Sequence, residues 1–163
     1  MHESVLVAIF DKKRQKVLLT KRRDVPVWVF PGGRIEPGET PEQSAIRESL
    51  EETGYKVEIV RKIGTYTPRN RLSKYTHFFE ARIVSGEPQT TNETQDLGFF
   101  STDALPYPLP PPYEIMAEHA LSHETYEMEI PNSSYWIFFK SLLKRPDLIA
   151  RFLLMKMGIH LNS

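Results

Sequence analysis

Three glutamates, Glu48, Glu51 and Glu52, stand at a spacing that brings their side chains to one face of a helix. Like charges at this spacing repel each other by about a few tenths of a kcal/mol per pair, so the arrangement does not stabilise the helix itself. Hard divalent cations such as Mg²⁺ prefer oxygen ligands and would remove the repulsion. The spacing therefore indicates a divalent-metal site on this helix, the alternative being a solvated acidic face.

Residues on either side of the glutamates can support such a site. Gly32 and Gly33 allow the backbone to come close to a bound group, so we expect the Gly32 carbonyl to be a further metal ligand. Arg47 lies on another side of the helix, where it can pair with an acid and orient it. Glu39 comes one residue before the predicted helix start and can pair with Arg47 or support the ligand shell.

The stretch over residues 33–55 resembles the signature of the Nudix hydrolases. That signature is a glycine, five residues, a glutamate, seven residues, Arg-Glu, an apolar residue, any residue, Glu-Glu, any residue, a glycine and an apolar residue. A chance match to its fixed positions is on the order of 10⁻⁸ per starting point. Ser49 and Tyr55 depart from the apolar residues usual at their positions. The fixed positions all match, at Gly33, Glu39, Arg47, Glu48, Glu51, Glu52 and Gly54.

The resemblance covers roughly residues 3–106 and implies a fold, a cofactor and a reaction. The implied fold is an α/β/α sandwich, a mixed and curved sheet between helices, here with extra C-terminal helices. The implied reaction is the Mg²⁺-dependent hydrolysis of a diphosphate bond in a nucleoside diphosphate derivative, with Mn²⁺ as a substitute. In that reaction Glu48, Glu51 and Glu52 would be metal ligands, and Arg47 would orient them.

The position of the general base differs among members of the family. Some take it from the signature helix, where Glu48 and Glu52 are the candidates. Others take it from a later loop, which here spans residues 92–96 and carries Glu93 and Asp96. We favour Glu93 over Asp96 and leave the choice between helix and loop open.

Substrate phosphates need cations, and a nucleobase needs an aromatic or apolar slot. Lys21, Arg22 and Arg23 end a predicted strand that faces the signature loop, and strand alternation allows only some of these side chains to face the cleft. Of the three, we assign Arg22 and Arg23 to the substrate. Arg69 lies in the loop that follows the signature. Four aromatic residues are available for the base slot, Trp28, Tyr66, Phe78 and Phe99, of which we assign Trp28 to it.

The sequence leaves the substrate open. A nucleotide sugar such as ADP-ribose, a nucleoside triphosphate (oxidised ones included) and a dinucleoside polyphosphate all agree with the pattern. The alternative function is a binding or regulatory module that senses a nucleotide on the same fold. Such proteins often lose signature glutamates, so the full set here favours catalysis.

Composition excludes several other classes. The 21 basic and 21 acidic residues cancel, which argues against stable nucleic-acid binding and against a membrane-surface protein. There is no cysteine, hence no disulfide framework and no thiolate metal site. Neither a signal peptide nor a membrane span is recognisable, so we expect a cytoplasmic protein.

The helix that carries the glutamates has clear end signals. Thr40 is a good N-cap, Gln43 completes a capping box and Gly54 suits the C-terminal cap. We expect the buried side of the helix to consist of Ala45, Ile46, Leu50 and Thr53.

Strands precede and follow this helix. Residues 5–10 and 17–23 flank a polar turn and predict a β-hairpin. Short strands are expected at 28–30 and 99–100, longer ones at 56–66 and 75–84, and a brief helical turn at 102–105. The order is typical of a mixed α/β domain.

The C-terminal third differs in composition. We expect a Nudix core over residues 1–106, followed over 107–163 by a proline strap and a helical segment packed on that core as one domain overall. Helices are predicted at 114–122 and 136–157, the second of which could instead form the surface of a homodimer. Residues 110–113, Pro-Pro-Pro-Tyr, also fit a WW-domain ligand, but a rigid strap is the favoured interpretation.

Overall fold

The computed structural model describes residues 3–68, 75–110, 112–130 and 150. Within them the chain forms a mixed α/β fold. None of the helices in this part of the chain is long and apolar enough to cross a membrane. The elements are β1 (Glu3–Ile9), β2 (Lys16–Arg22), β3 (Trp28–Val29), α1 (Pro41–Thr53), β4 (Tyr55–Pro68), β5 (Tyr75–Gly86), β6 (Thr94–Ser101), α2 (Tyr113–Leu121) and β7 (Tyr126–Ile130).

The strands form two sheets. The four-stranded sheet has the order β1-β5-β4-β7, in which β1–β5 and β4–β7 are parallel and β4–β5 is antiparallel. The three-stranded sheet has the order β3-β2-β6 and is antiparallel. The first is therefore mixed, as expected for this class of fold.

The predicted hairpin of the first two strands is wrong. The turn itself forms: the Asp11 carboxylate accepts hydrogen bonds from the backbone N–H groups of Gln15 and Lys16 at 2.8 and 2.9 Å. Beyond the Phe10–Val17 bridge, however, the strands part into different sheets. β1 pairs with β5 and β2 pairs with β6, each over seven residue pairs, whereas among the described residues only this one bridge joins the ends of β1 and β2. The longer ladders satisfy more backbone groups than a hairpin of this length would.

The four-stranded sheet lies between the two helices. Alternate residues of β1 belong to different clusters: Val5 and Val7 share one with Ala45 of α1, whereas Ala8 shares the other with Met116 of α2. This alternation follows from the two-residue period of a strand. The predicted sandwich, with a mixed sheet between helices, is confirmed for α1 and α2. The further helix predicted at 136–157 lies, apart from residue 150, outside the described residues.

Helix α1 begins and ends as its sequence predicts. The Thr40 hydroxyl accepts the Gln43 N–H at 3.2 Å, and the Gln43 side chain accepts the Thr40 N–H at 2.9 Å. Gly54 has a φ of 76°, a left-handed conformation that suits glycine, and its N–H donates to the Leu50 carbonyl. The capping box and the C-terminal cap are both confirmed.

The predicted buried face of α1 is confirmed in part. Ala45 and Thr53 are buried and Ile46 is partly buried, but Leu50 is 50% exposed. Ser44 and Ser49, which were not predicted, are buried in addition. Small side chains let the helix lie close to the sheet. The Ser49 hydroxyl donates to the Ala45 carbonyl at 2.7 Å, and the Thr53 hydroxyl donates to Ser49, so both are satisfied without water. Ser49 is therefore a packing residue despite its polarity.

The proline segment packs against the core. The Pro108 carbonyl accepts the Trp28 N–H at 2.9 Å, and Leu109 is buried. Tyr113 is the first residue of α2 and stacks on Phe30 with ring centroids 5.7 Å apart, which supports the strap over the ligand interpretation. The predicted helix at 114–122 is confirmed within one residue. The helical turn predicted at 102–105 is a simple turn, closed from Ala104 to Ser101.

Two arginines and one buried glutamate fasten the end of α2. Glu80, whose side chain is 6% exposed, accepts from Arg61 Nε at 2.8 Å and lies 3.3 Å from Arg14 Nη1. The same guanidinium groups donate to carbonyls at the C-terminus of α2, where positive charge is favourable: Arg14 and Arg61 both reach Ala120 and Arg61 also reaches Ser122. This arginine clasp (Arg14, Arg61 and Glu80) joins α2 to β4, β5 and the first turn.

Candidate active site

Two glutamates of α1 lie directly against the glycine turn. Gly32 N–H donates to Glu52 Oε2 at 3.0 Å. A Cβ atom at Gly33 would lie 2.3 Å from Glu48 Oε1, so only glycine leaves room for this carboxylate. The neighbouring carbonyls of Pro31 and Gly33 accept from Val7 and Val5 of β1. Strand β1 therefore fixes the turn, and the turn fixes both carboxylates.

Arg47 connects three acids through one guanidinium. Its Nε and Nη2 bind the two oxygens of Glu39 at 2.7 and 2.9 Å, and its Nη1 donates to Glu48 Oε1 at 2.9 Å and to Glu51 Oε2 at 3.0 Å. The hydrogen bond from Arg47 lowers the pKa of Glu39 to about 2. Arg47 Nη2 also donates to the Arg34 carbonyl, which ties α1 to the loop before it. The predicted pairing of Arg47 with Glu39 is thus present.

Burial disfavours the ionised forms of the Glu48 and Glu52 carboxylates. It raises the pKa of Glu52 to about 7, against the lowering effect of the Gly32 N–H. Burial also raises the pKa of Glu48, although Arg47 opposes it. The negative charge of Glu93 adds to both increases. The loop before β6 therefore brings Glu93 within electrostatic range of both glutamates.

The acids of the site are not arranged as a finished ligand set. Among the residues that the structure describes, no group of three acidic or histidine side chains is close enough to hold a metal ion. Glu51 is bound by Arg47 and its side chain is 58% exposed. The donor chemistry nevertheless fits a hard cation, because half-buried carboxylates with raised pKa values are the groups that bound positive charge would relieve. No hydrogen bond to the Gly32 carbonyl is found within the described ranges, so that oxygen remains available as a ligand.

Comparison with known proteins decides the family of this site. The model of the NUDIX domain matches residues 1–120. The chain belongs to the Nudix family. The pyrophosphohydrolase class predicted from the sequence is confirmed by this match and by the relatives below.

Relatives of this Nudix chain include enzymes named for different nucleotides. It is 43% identical over 107 residues to a putative 8-oxo-dGTP diphosphatase of Bacillus subtilis (strain 168), covering 65% of this chain and 71% of that protein. It is 30% identical over 114 residues to an ADP-ribose pyrophosphatase of Methanocaldococcus jannaschii, covering 65% and 66%. The crystal structure of an ADP-ribose pyrophosphatase from Streptococcus suis superposes with a TM-score of 0.63 at 28% identity, covering 80% of this chain and 98% of that one.

The two arginines predicted for substrate have different surroundings. The Arg22 guanidinium donates to both carboxylate oxygens of Asp24, from Nε to Oδ1 at 2.8 Å and from Nη2 to Oδ2. The pKa of Arg22 is raised, first by that hydrogen bond and then, more weakly, by the fields of Tyr113 and Glu52. Contact between Arg22 and a substrate stays a prediction. Arg23 instead donates from Nη2 to the carbonyls of two residues in the loop before β6.

Trp28 and Arg69 are the other two residues predicted to bind substrate, and that role stays a prediction. Trp28 is half-buried and meets Phe100 edge to face with centroids 4.6 Å apart, and Lys21 Nζ lies 5.9 Å from the centre of its ring. Trp28 is thus partly a packing residue, with its contact to substrate still a prediction. Arg69 lies outside the described residues.

The structure separates the two candidate loop bases. β6 begins at Thr94 and not at residue 99 as predicted, so Asp96 lies within a strand opposite Lys21. Asp96 Oδ1 accepts the N–H of its neighbour Leu97 at 2.8 Å. Glu93 is exposed in the loop and influences both helix glutamates. The choice of Glu93 over Asp96 as the loop base stays a prediction.

Two residues that interact with the predicted site residues were missed from the sequence. Tyr113 contributes to the raised pKa of Arg22, whereas the sequence assigned it to the strap. Thr91 closes the loop before β6 by accepting the N–H groups of Glu93 and Thr94, each at 3.2 Å. A Thr-x-Glu-Thr string is too short to predict such a turn, although a threonine two residues before its partner is a known turn former.

Proposed function

We propose that this Nudix enzyme hydrolyses a diphosphate bond in a nucleoside diphosphate derivative and uses Mg²⁺, or Mn²⁺ in its place. The observation that carries the proposal is the pair of half-buried carboxylates, Glu48 and Glu52, held against the Gly32–Gly33 turn with the charge of Glu93 nearby. Burial of like charges is unfavourable unless a cation joins them. Such a pocket binds a metal and, through it, a phosphate.

Each residue of the site has a part in this proposal. Glu48, Glu51, Glu52 and the Gly32 carbonyl would hold the metal, which when bound neutralises phosphate oxygens and acidifies water. Glu93, in the loop, is the candidate general base, with Glu48 and Glu52 as the alternatives on the helix. Arg47 keeps Glu48 oriented, and Arg22 supplies positive charge to the phosphates.

Two substrate classes have support from the relatives. The similarity to an enzyme named for 8-oxo-dGTP supports a nucleoside triphosphate, oxidised ones included. The similarity to two enzymes named for ADP-ribose supports a nucleotide sugar. In either case Trp28 is the candidate contact for the base. The cytoplasmic location, the homodimer and the lack of stable nucleic-acid binding remain predictions.

A substrate panel with matched variants tests the proposal. Wild type, Glu52→Gln and Glu51→Gln are incubated with 8-oxo-dGTP, dGTP, ADP-ribose and a dinucleoside polyphosphate, with and without Mg²⁺ or Mn²⁺. We expect metal-dependent release of phosphate-ended products, reduced by about 10³-fold in both variants, because a lost ligand removes several kcal/mol of charge stabilisation. Glu58→Gln, which loses only an exposed pair with Arg82, is the control and should retain activity.

Two outcomes would contradict the proposal. Full activity of Glu52→Gln would remove Glu52 from the metal site. A wild-type protein that cleaves no member of the panel but binds one of them would favour the nucleotide-sensing alternative.

A further inference from the structure

Arg23 is the residue whose observed contacts differ most from its predicted role. It directly follows β2 and was expected to contact substrate. Its Nη2 donates to the carbonyl of Thr91 at 3.2 Å and to that of Thr94 at 3.4 Å. Its backbone N–H donates to the carbonyl of Glu93 at 2.9 Å. A single residue thus binds three of the four carbonyls between residues 91 and 94.

The segment that Arg23 binds is a tight turn (the 91–94 turn). The Thr91 N–H donates to the Thr94 carbonyl at 3.2 Å, and the Thr91 hydroxyl accepts the N–H groups of Glu93 and Thr94. Thr94 is buried, whereas Glu93 is exposed. The turn is therefore buried at its last residue and exposed at Glu93, and it is bound through its carbonyls by Arg23, the residue that follows β2.

The ladder alone would hold this turn poorly. β2 and β6 pair regularly from Lys16–Ser101 to Lys21–Asp96, and the register shifts between Lys21 and Arg22. A shift of this kind interrupts the ladder and bends the strand locally. After the shift the ladder resumes with one pair, Arg22–Thr94, and the hydrogen bonds from Arg23 come next. The backbone bond of Arg23 extends this pair, and its two guanidinium bonds add contacts that the ladder does not supply, at the place where Glu93 must be held.

The geometry points to Arg23 as a positioning residue that fixes the 91–94 turn and thereby holds the Glu93 carboxylate at the active site. This inference rests on the proposed function, because Glu93 is its candidate base. Two adjacent arginines then have different roles. Arg22 pairs with Asp24 and is the candidate for substrate phosphates, whereas Arg23 supports the loop. A guanidinium suits the second task because its planar donors serve two carbonyls at once.

Kinetics of a double-mutant cycle test the inference. Arg23→Gln should lower kcat by about 10²-fold, since small displacements of a reacting group cost that much, while KM changes by less than about threefold. Arg23→Lys keeps the charge and one donor group and should recover part of the loss. In a Glu93→Gln background, Arg23→Gln should lower kcat by no more than about threefold, because the group that it positions is already absent.

A substrate-binding Arg23 would behave differently. Arg23→Gln would then raise KM, and its effect would be undiminished in the Glu93→Gln background. Either result would overturn the inference and leave the proposed hydrolysis intact.

Amide hydrogen exchange gives a readout that needs no activity. Exchange at Glu93 and Thr94, whose N–H groups donate to Thr91, should become about tenfold or more faster in Arg23→Gln as the turn opens. Arg82→Gln, which removes another arginine with a single exposed partner, should leave exchange there unchanged. Unchanged exchange in Arg23→Gln would overturn the inference, whether or not the wild type is active. A wild type that hydrolyses no substrate would refute the proposed function and leave this exchange test valid.

Discussion

Replacing Glu52 with glutamine should abolish activity and at the same time stabilise the protein above neutral pH. Glu52 is the acid of the site whose charged form burial disfavours most clearly, since burial raises its pKa from 4.5 to about 7. The folded state therefore holds this proton more tightly than the unfolded chain does. Glutamine removes the charge but keeps an oxygen that can accept the Gly32 N–H.

The sign of the pH dependence follows from linkage. A raised pKa contributes stability that is present below the unfolded value of 4.5 and is lost as the pH rises through the folded value of about 7. Each pKa unit corresponds to about 1.4 kcal/mol, so the ionised Glu52 costs up to about 3 kcal/mol at pH 8. For a chain of this size, that corresponds to a rise in Tm of about 6–12 °C for Glu52→Gln.

Urea unfolding at several pH values, with a chelator present, measures this difference. The stabilisation of Glu52→Gln over wild type should be near zero at pH 4 and should grow between about pH 4.5 and 7. Glu51→Gln is the matched control: its side chain is 58% exposed and bound to Arg47, so it should show no such gain. Added Mg²⁺ should raise the free energy of unfolding of the wild type more than that of Glu52→Gln. A ligand that binds the folded state stabilises it, and the variant lacks one carboxylate of the proposed metal site.

A wild-type protein that is more stable than Glu52→Gln at pH 8 without metal would refute this reasoning. So would a difference between the two that is the same at pH 4 and pH 8. Either result would mean that the surroundings of Glu52 accommodate its charge and that no cation is needed there.

Two further predictions follow from the site and the core. Gly33→Ala should lower kcat by about tenfold or more while the chain still folds, since its Cβ would lie 2.3 Å from Glu48 Oε1; Gly98→Ala, whose nearest neighbour would be at 3.4 Å, should be nearly silent in the same assay. Glu80→Gln should cost about 1.5–3 kcal/mol in urea unfolding, because the amide keeps an acceptor but loses the charge that faces the partly exposed guanidinium groups of the arginine clasp, and a loss below about 0.5 kcal/mol would contradict that role.

What could be predicted from the sequence was local. The capping box, the left-handed Gly54 and the face shared by Glu48 and Glu52 depend on residues within a few positions of each other. The pairing of Arg47 with Glu39 spans eight residues and could still be read from their positions. These features form because a short segment satisfies its own hydrogen bonds.

What could not be predicted depended on distant partners. The turn at Asp11 is visible in the sequence, but the choice of β5 as the partner of β1 brings together residues as far apart as Val5 and His77. β7 was missed because it adds to β4 from a segment that the sequence assigned to a helical region. Leu50 was misplaced because the rotation of α1 is set by its close approach to the sheet, which selects small side chains over large ones.

The role of Arg23 was hidden for a related reason. A run of three basic residues beside a phosphate site looks like one substrate-binding patch. The structure divides it, because the strand bends at Arg22 and the next residue meets the carbonyls of another loop. Charge alone does not tell whether a cation faces a ligand or the backbone.

The active site is assembled from two sheets, and this has a consequence for changing its specificity. The helix with Glu48 and Glu52 packs mainly on β4 and β1 of the four-stranded sheet, whereas Arg22 and Glu93 are carried by the ends of β2 and β6 in the other sheet. The carboxylates proposed to hold the metal therefore lie on one sheet, whereas the candidate base and the arginine proposed for the phosphates lie on the other. Libraries that vary the loops of the three-stranded sheet but keep Glu93 and the 91–94 turn offer a route to new nucleotide preferences in which the helix and the candidate base are both left untouched.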